Sequence, residues 1–212
     1  MAETTNILRK ISLFCGILSS MLYVATDILG GITWGNYDFA SQYISELSAI
    51  GAPSRSLVVP LYFLYNILVA AFLMGVWRSA GGKHTSHIMA GLLLGYMASG
   101  IIGLFFPMNP GEAATSLSNA MHQILAGVTV IFILLSLGVG AKALGKRFGI
   151  YSVGTIVVYL VLGALPFLGV AQIEEGLPTP WVGVVERIMV YGYMLWLAVL
   201  ACFILRREQR FV

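Results

Sequence analysis

The sequence predicts an all-α protein: a polytopic bundle of six transmembrane helices, with a short interfacial helix between the first and second spans. Three observations lead to this prediction. Hydrophobic residues make up 58% of the 212 residues and charged residues only 10%, whereas a soluble domain carries about 25% charged residues. Six apolar segments each approach or exceed the roughly 20 residues that a membrane-spanning helix needs. A polar and aromatic stretch separates the first two of them.

The six predicted spans form a single integral membrane domain over residues 1–212. They lie at about 11–32, 57–77, 86–106, 118–141, 150–171 and 181–205. The first span has a long apolar core and no small-residue cleavage site, so we expect a span and not a cleaved signal peptide. Cys15 and Cys202 lie far apart inside apolar spans, which argues against a disulfide framework or a cysteine-based metal site.

The distribution of basic residues predicts a multi-pass protein of the cell membrane with both termini in the cytoplasm. Ten of the twelve Lys and Arg residues lie at the ends and in the loops that share a side with the N-terminus, and only Arg55 and Arg187 lie on the other side. Such a bias marks the cytoplasmic side of a membrane protein. The basic residues form no patch, so nucleic acid is not an expected partner.

The stretch DFASQYISELSAIGAPSR, residues 38–55, predicts a short helix on the membrane surface. Its apolar residues recur at three- and four-residue spacing and would share one helix face. They are Phe39, Tyr43, Leu47 and Ile50. Asp38 occupies an N-cap position, and Gly51 followed by Pro53 is a stop signal. The twelve residues from 39 to 50 are too few to cross a bilayer at about 1.5 Å per residue.

Ionisable residues inside the spans are the main functional candidates, because a charge in the bilayer core is costly. Asp27, His122 and Glu186 lie on three different spans, roughly 6–8 Å below the outer surface at about 1.5 Å per residue. We therefore expect them to share an outward-facing polar pocket. A structural reading remains open for each: pairing of Asp27 with Arg187, an interhelical hydrogen bond from His122, and a favourable acid at a helix start for Glu186.

The predicted pocket contains candidates for both catalysis and ligand binding. The catalytic candidates are His122 as a general base and Asp27 or Glu46 as an orienting carboxylate. The structural alternative for Glu46 is to cap a neighbouring helix. The ligand-binding candidates are the polar residues around these positions: Tyr43, Ser45, Arg55, Asn66, Asn109, Gln123, Glu186 and Arg187.

No metal or cofactor is identified by the sequence. One histidine with carboxylates is a poor zinc ligand set, and the chain lacks a phosphate loop, a dinucleotide fingerprint and the Gly-x-Ser-x-Gly nucleophile motif. The sequence therefore leaves open whether the protein is an enzyme.

We expect the pocket to bind or process a lipid headgroup or a small amphiphile taken from the membrane. A small-solute or proton-coupled transporter is an alternative, although polar residues are sparse in the cytoplasmic half of the spans. A third alternative is a non-catalytic scaffold that forms a homo-oligomer. It would use the small residues at four-residue spacing in the third span, Gly91, Gly95, Ser99 and Gly103.

The motif YISELSAIGAP, the sequence FPMN after the third span and the early histidine of the fourth together resemble the prokaryotic six-helix membrane family "domain of unknown function 998". The motif positions are Tyr43, Ser45, Glu46, Leu47, Gly51, Pro53, Pro107, Asn109 and His122. Relatives often have an acid where this chain has Asn109, which weakens the case for a metal ligand there. The first motif also distantly resembles the corresponding loop of the eukaryotic DRAM and Sfk-type proteins, and this analogy suggests lipid handling.

Overall fold

The computed structural model describes residues 2–79, 84–163, 165 and 179–209, and within these ranges it contains only helices and their connections. The elements in chain order are α1 (Ala2–Trp34), a 3-10 helix (Ile44–Ser48), α2 (Arg55–Arg78), α3 (His84–Gly103), α4 (Leu117–Ala143), α5 (Lys146–Leu162) and α6 (Val182–Gln209).

Five helices in the described part of the chain are long and apolar enough to cross a membrane, judged by length and composition. They are α1, α2, α3, α4 and α6. Each of them overlaps one of the predicted spans. The predicted fifth span, 150–171, begins within α5, but residues 164 and 166–171 lie outside the described residues. That span therefore stays a prediction.

The third span ends earlier than predicted, at Gly103 instead of residue 106. Leu104, Phe105 and Phe106 form successive turns, in which each amide donates to the carbonyl three residues before it. Pro107 disfavours helical geometry at Phe106. The chain therefore leaves the helix before the proline.

The six helices form a ring in chain order. Each contacts the next, most extensively α1 with α2, and α6 contacts α1 to close the ring. One end of the ring carries the 35–54 connection and the 104–116 connection, and we call it the loop end. Toward the opposite end the interior is filled by side chains with no exposed surface, including Leu93, Leu137 and Trp196. Trp196 also donates a hydrogen bond of 2.9 Å to the Ser152 hydroxyl.

The predicted twelve-residue interfacial helix is wrong in extent, because only Ile44–Ser48 is helical and this segment is a 3-10 turn. The Asp38 side chain does not cap a helix. It accepts hydrogen bonds from the Ala40 amide at 2.9 Å and the Ser41 hydroxyl at 2.6 Å. These bonds hold the pKa of Asp38 below its usual range, the Ser41 bond most strongly. Side chains of this kind compete with helix hydrogen bonding.

The predicted apolar face of that stretch is only partly buried. Tyr43 and Leu47 are buried, whereas Phe39 and Ile50 are 36% and 49% exposed. Ile44 is buried as well, as the tighter winding of a 3-10 helix allows. The predicted stop is present, because Gly51 has a φ of +83°, a conformation that favours glycine.

The small-residue ridge of α3 is used in part for packing inside the ring. A Cβ atom on Gly95 would overlap the Phe132 ring of α4, and the Ser99 hydroxyl lies 2.8 Å from the Thr129 hydroxyl of α4. Gly91 and Gly103 have no atom within 4 Å of where a Cβ would lie. The ridge therefore supports the α3–α4 contact.

We expect Gly95→Ala to lower the free energy of unfolding by about 1 kcal/mol, because the added methyl group forces the Phe132 ring to move. Gly91→Ala is the matched control on the same helix and should be neutral or slightly stabilising, since its Cβ meets open space. Denaturation midpoints in a neutral detergent measure both changes. Equal midpoints for the two variants would contradict the tight α3–α4 approach.

Candidate functional site

Arg187 of α6 and Asp27 of α1 form a buried ion pair. The Nε and Nη2 atoms of Arg187 donate to the two carboxylate oxygens of Asp27, each at 2.9 Å. The Asp27 side chain has no exposed surface, and the Tyr191 hydroxyl donates to the same carboxylate. A two-pronged arginine–carboxylate pair is strong and directional. It is the pairing that the structural reading of Asp27 predicted.

Arg187 also holds the connection between α1 and the 3-10 helix. Its Nη1 donates to the carbonyl oxygens of Phe39 at 2.8 Å and Gln42 at 3.0 Å. Its Nη2 donates to the Tyr37 hydroxyl at 2.6 Å, which in turn donates to the Tyr43 carbonyl at 2.7 Å. We call this set of contacts the Arg187 clamp. It fixes residues 37–43 against α6.

Aromatic rings complete the clamp. The Arg187 guanidinium carbon lies 5.4 Å from the centre of the Tyr37 ring and 4.9 Å from that of Phe39. Both distances are within the range of cation–π attraction. Burial raises the pKa of Tyr37, although the hydrogen bond from Arg187 acts in the opposite direction. Tyr37 therefore stays neutral and can donate a hydrogen bond to the Tyr43 carbonyl.

A cavity of about 840 Å³ lies beside the clamp, at the loop end of the ring. Its lining comes from all six α-helices, the 3-10 helix and the α3–α4 connection. The cavity runs from Glu112, which is exposed, to Asn66. Asn66 lies eleven residues beyond Arg55, the first residue of α2, which is about 16 Å along a helix. A cavity of this volume is within the range of small-molecule sites.

The structure brings most of the predicted site residues together, but not all of them. The predicted residues that line the cavity are Tyr43, Ser45, Glu46, Asn66, Asn109, His122, Gln123 and Glu186. Asp27, Arg55 and Arg187 do not line it. Asp27 and Arg187 are occupied in their ion pair. Arg55, at the start of α2, donates from its guanidinium to the Ser48 carbonyl.

Asn66 lines the cavity and has a buried hydrogen-bond acceptor that no described group uses. Its side chain is only 4% exposed, and its Nδ2 donates to the Tyr62 carbonyl at 2.8 Å. Since a carbonyl can only accept, this bond fixes which end of the amide is nitrogen. The Oδ1 atom is buried and has no hydrogen-bond partner in the described structure. A buried acceptor without a donor costs about 1–3 kcal/mol.

Glu186 of α6 and Glu46 of the 3-10 helix both line the cavity, and they differ in their hydrogen-bond partners. Oε2 of Glu186 accepts from the Ile44 amide at 2.6 Å, and Oε1 has no hydrogen-bond partner among the described residues. Glu46 uses both oxygens: Oε1 accepts from the Tyr43 amide and Oε2 from the Gln42 side chain, each at 2.8 Å. Glu46 therefore caps the start of the 3-10 helix, and Glu186 has the freer carboxylate.

Tyr43 lies near both of these carboxylates. Burial raises the pKa of its phenol, and the negative charges of Glu186 and Glu46 raise it further. Tyr43 is consequently a neutral group in the cavity wall, unsuited to act as a base.

His122 is held by the α3–α4 connection. Its Nδ1 lies 3.1 Å from the Phe106 carbonyl oxygen. Because that oxygen can only accept, Nδ1 carries the proton and Nε2 is left with a lone pair. Neither Asp27 nor Glu46 makes a hydrogen bond to His122 within the described residues. The predicted pairing of His122 with an orienting carboxylate is therefore not formed.

Tyrosines are the part of the cavity lining that sequence reasoning missed. They come from four different helices: Tyr23, Tyr62, Tyr65, Tyr96 and Tyr159. The hydroxyls of Tyr65 and Tyr96 lie 2.6 Å apart, and the ring of Tyr23 lies 5.3 Å from that of Tyr62. Tyrosine in membrane helices normally concentrates at the interfaces. The sequence signal that could have revealed them is their position in the middle of apolar segments, away from the interfaces.

Asn119 was also missed, and it shapes the rim of the cavity. Its Oδ1 accepts from the Asn109 amide at 2.7 Å, and its Nδ2 donates to the carbonyls of Asn109, Glu112 and Ala113. Asn109 takes part in these contacts through its backbone amide and carbonyl, whereas the sequence predicted a ligand-binding role for it. Nearby, the Ser45 hydroxyl donates to the Met108 sulfur at 3.0 Å. The two loop segments thus close together over the cavity.

No group of three or more His, Cys, Asp or Glu side chains that could hold a metal ion occurs in the described ranges. Apolar helices of membrane-spanning length, arranged around a partly polar cavity, define an integral, multi-pass membrane protein.

Residues 17–202 match the family described as protein of unknown function (DUF998), and the chain belongs to that family. The resemblance carried by the YISELSAIGAP and FPMN motifs is thereby confirmed. No curated protein and no solved structure matches the chain, and the distant resemblance to the DRAM and Sfk-type proteins is not confirmed.

Proposed function

We propose that the protein binds a lipid headgroup or small amphiphile in the cavity at the loop end. The observation that carries the proposal is that Asn66, whose buried Oδ1 has no described partner, lines a cavity of about 840 Å³. Buried polar groups in folded proteins are nearly always paired. A ligand that donates a hydrogen bond to Asn66 would satisfy this one.

The composition of the cavity wall favours an amphiphile over a purely polar solute. The polar groups of the wall lie beside apolar side chains from α4 and α6, which include Leu125, Val130, Ile133, Met189 and Val190. Mostly apolar walls with a few convergent polar groups are typical of small-molecule sites. A molecule with both an apolar and a polar part would match both kinds of surface.

The alternatives have less support. A transport route needs polar groups beyond the cavity, but the ring interior toward the opposite end is filled by Leu93, Leu137 and Trp196. A scaffold that assembles through the α3 ridge would need Gly95, which packs on Phe132 instead. The excess of basic residues at the other end supports an extracytoplasmic position for the loop end.

Filling the cavity should abolish binding. Ala126 lines the cavity and is exposed, so Ala126→Phe would place a ring in the free space. We expect the parent protein, purified in a neutral detergent, to retain bound amphiphiles. The Ala126→Phe protein should retain at least about tenfold less bound amphiphile than the parent. Mass spectrometry of extracts from equal amounts of folded protein measures the difference.

The matched control for this experiment is Ile131→Phe, which adds an aromatic ring on the same helix at a side chain that is 56% exposed and outside the cavity lining. The control should retain the parent's amphiphile content. Equal content in the parent and in Ala126→Phe would overturn the proposed function.

A further inference from the structure

We propose that the ligand's polar group is a cation of the ammonium type, bound by Glu186 and Asn66 among the cavity tyrosines. This inference rests on the proposed function and adds the charge of the group that is recognised.

The described cavity wall contains carboxylates and no lysine or arginine. Its acids are Glu46, Glu112 and Glu186. The two arginines at the loop end are committed elsewhere, Arg187 to Asp27 and Arg55 to the Ser48 carbonyl. The sequence of residues 164–178 contains no Lys or Arg. An anionic group such as a phosphate would find no cation here, whereas it normally requires one.

Glu186 has no direct ion-pair partner. Within the described residues its only hydrogen bond comes from the neutral Ile44 amide. The neighbouring Arg187 directs its guanidinium to Asp27 and to the clamp. A carboxylate that is largely removed from water is costly unless it is paired. A cationic ligand would offset this cost, and Oε1 is the oxygen left to receive it.

Asn66 is an independent observation that indicates a ligand with N–H donors. Its unpaired Oδ1 is an acceptor on a side chain more than nine-tenths buried, and it lines the same cavity as Glu186. An ammonium group carries up to three donors and no acceptor. A ligand of this type has enough donors for both Asn66 and Glu186.

Aromatic faces in the wall suit a cation as well. The Tyr23 ring lies 5.3 Å from the Tyr62 ring and 5.1 Å from the Tyr65 ring, so three tyrosines of α1 and α2 form one cluster at the cavity. Electron-rich ring faces attract ammonium groups, most strongly where water is excluded. The cluster would add to the attraction of Glu186 without adding charge.

The test uses three amphiphiles with the same alkyl chain and different headgroups: octylamine, which is protonated at neutral pH, octanol and octanoate. Each is titrated into the parent protein in a neutral detergent, and the dissociation constant is obtained from the change in intrinsic fluorescence or in thermal midpoint. We expect octylammonium to bind about tenfold more tightly than octanol, and octanoate to bind most weakly.

Glu186→Gln removes the charge but keeps an acceptor for the Ile44 amide, so the fold is preserved. This variant should weaken octylammonium binding about tenfold and weaken octanol binding much less, so the preference for the cation is lost. Asp38→Asn is the charge-matched control, because Asp38 is outside the cavity lining, and it should bind all three as the parent does. Ethanolamine, which has the ammonium group without the chain, distinguishes a free amine from a lipid-like ligand.

The results separate the two proposals. Failure of all three amphiphiles and ethanolamine to bind would contradict the proposed function itself. Binding of octanol and octanoate as tight as that of octylammonium would leave the proposed function standing and overturn the cation. The cation would also be overturned if Glu186→Gln still preferred octylammonium over octanol as strongly as the parent does. If ethanolamine matches octylammonium, the cation stands and its source is a small amine instead of a lipid.

Discussion

Asp27→Asn should lower the free energy of unfolding by about 3–5 kcal/mol, the largest single effect that we expect in this protein. The substitution keeps the size of the side chain but removes its charge. The Arg187 guanidinium would then stay buried without a counterion, since both Asp27 oxygens accept from it at 2.9 Å. Unfolding by a denaturing detergent added to neutral micelles measures the loss.

Asp38→Asn is the control for this change, because Asp38 is also an acid at the loop end but contacts only its own turn. It should shift the unfolding midpoint little. The double variant Asp27→Leu with Arg187→Met should be less destabilised than the sum of the two single variants, since no charge is left unpaired. An Asp27→Asn protein as stable as the parent would contradict the structural role of the pair.

The helical architecture was predictable from the sequence because its signals are local. Long apolar segments and their charged ends determine where membrane helices begin and end, and the predicted limits of α2 and α4 lie within two residues of the observed ones. The short helix between α1 and α2 was predicted to be more than twice as long as the observed helix, Ile44–Ser48. There, hydrogen bonds to the Asp38 carboxylate and the burial of Ile44 outweigh the helical spacing of apolar residues.

The site was predictable only in part, because equal depth along helices does not specify direction around them. Asp27, His122 and Glu186 were expected to share one pocket on the basis of depth alone. Depth was a useful guide for His122 and Glu186, which line the cavity. Asp27 faces Arg187 instead, which is the structural alternative that the sequence left open. The spacing of residues 160 positions apart could not decide between the two readings. The tyrosines were missed because they are spread over four helices, and nothing in the spacing along any one helix shows that they meet.

The clamp and the cavity are physically connected, and this affects how variants should be interpreted. Glu186 and Arg187 are adjacent on α6, yet Glu186 reaches the Ile44 amide and Arg187 reaches the carbonyls of Phe39 and Gln42. The clamp thus holds the segment that forms one wall of the cavity. Loss of binding in a clamp variant would report a displaced wall, whereas loss in Glu186→Gln would report a missing charge.

Gly183→Ala should release this wall and cost about 1–3 kcal/mol of stability. A Cβ atom on Gly183 would overlap the carbonyl oxygens of Phe39 and Gln42 and would lie 2.8 Å from Nη1 of Arg187. These carbonyls belong to the backbone, so no rotamer change relieves the overlap, and the 37–43 segment must move away from α6. We expect a lower unfolding midpoint together with faster proteolysis in this segment.

The control for Gly183→Ala is Gly192→Ala on the same helix, where no atom lies within 4 Å of the added Cβ. Alanine is favoured over glycine in a helix by up to about 1 kcal/mol, so this variant should be neutral or more stable than the parent. The two substitutions are chemically identical, but only Gly183→Ala is expected to lower stability. If Gly183→Ala matched Gly192→Ala in stability and proteolysis, the close contact between α6 and residues 37–43 would be refuted, and with it the role of Arg187 as the clamp of the cavity wall.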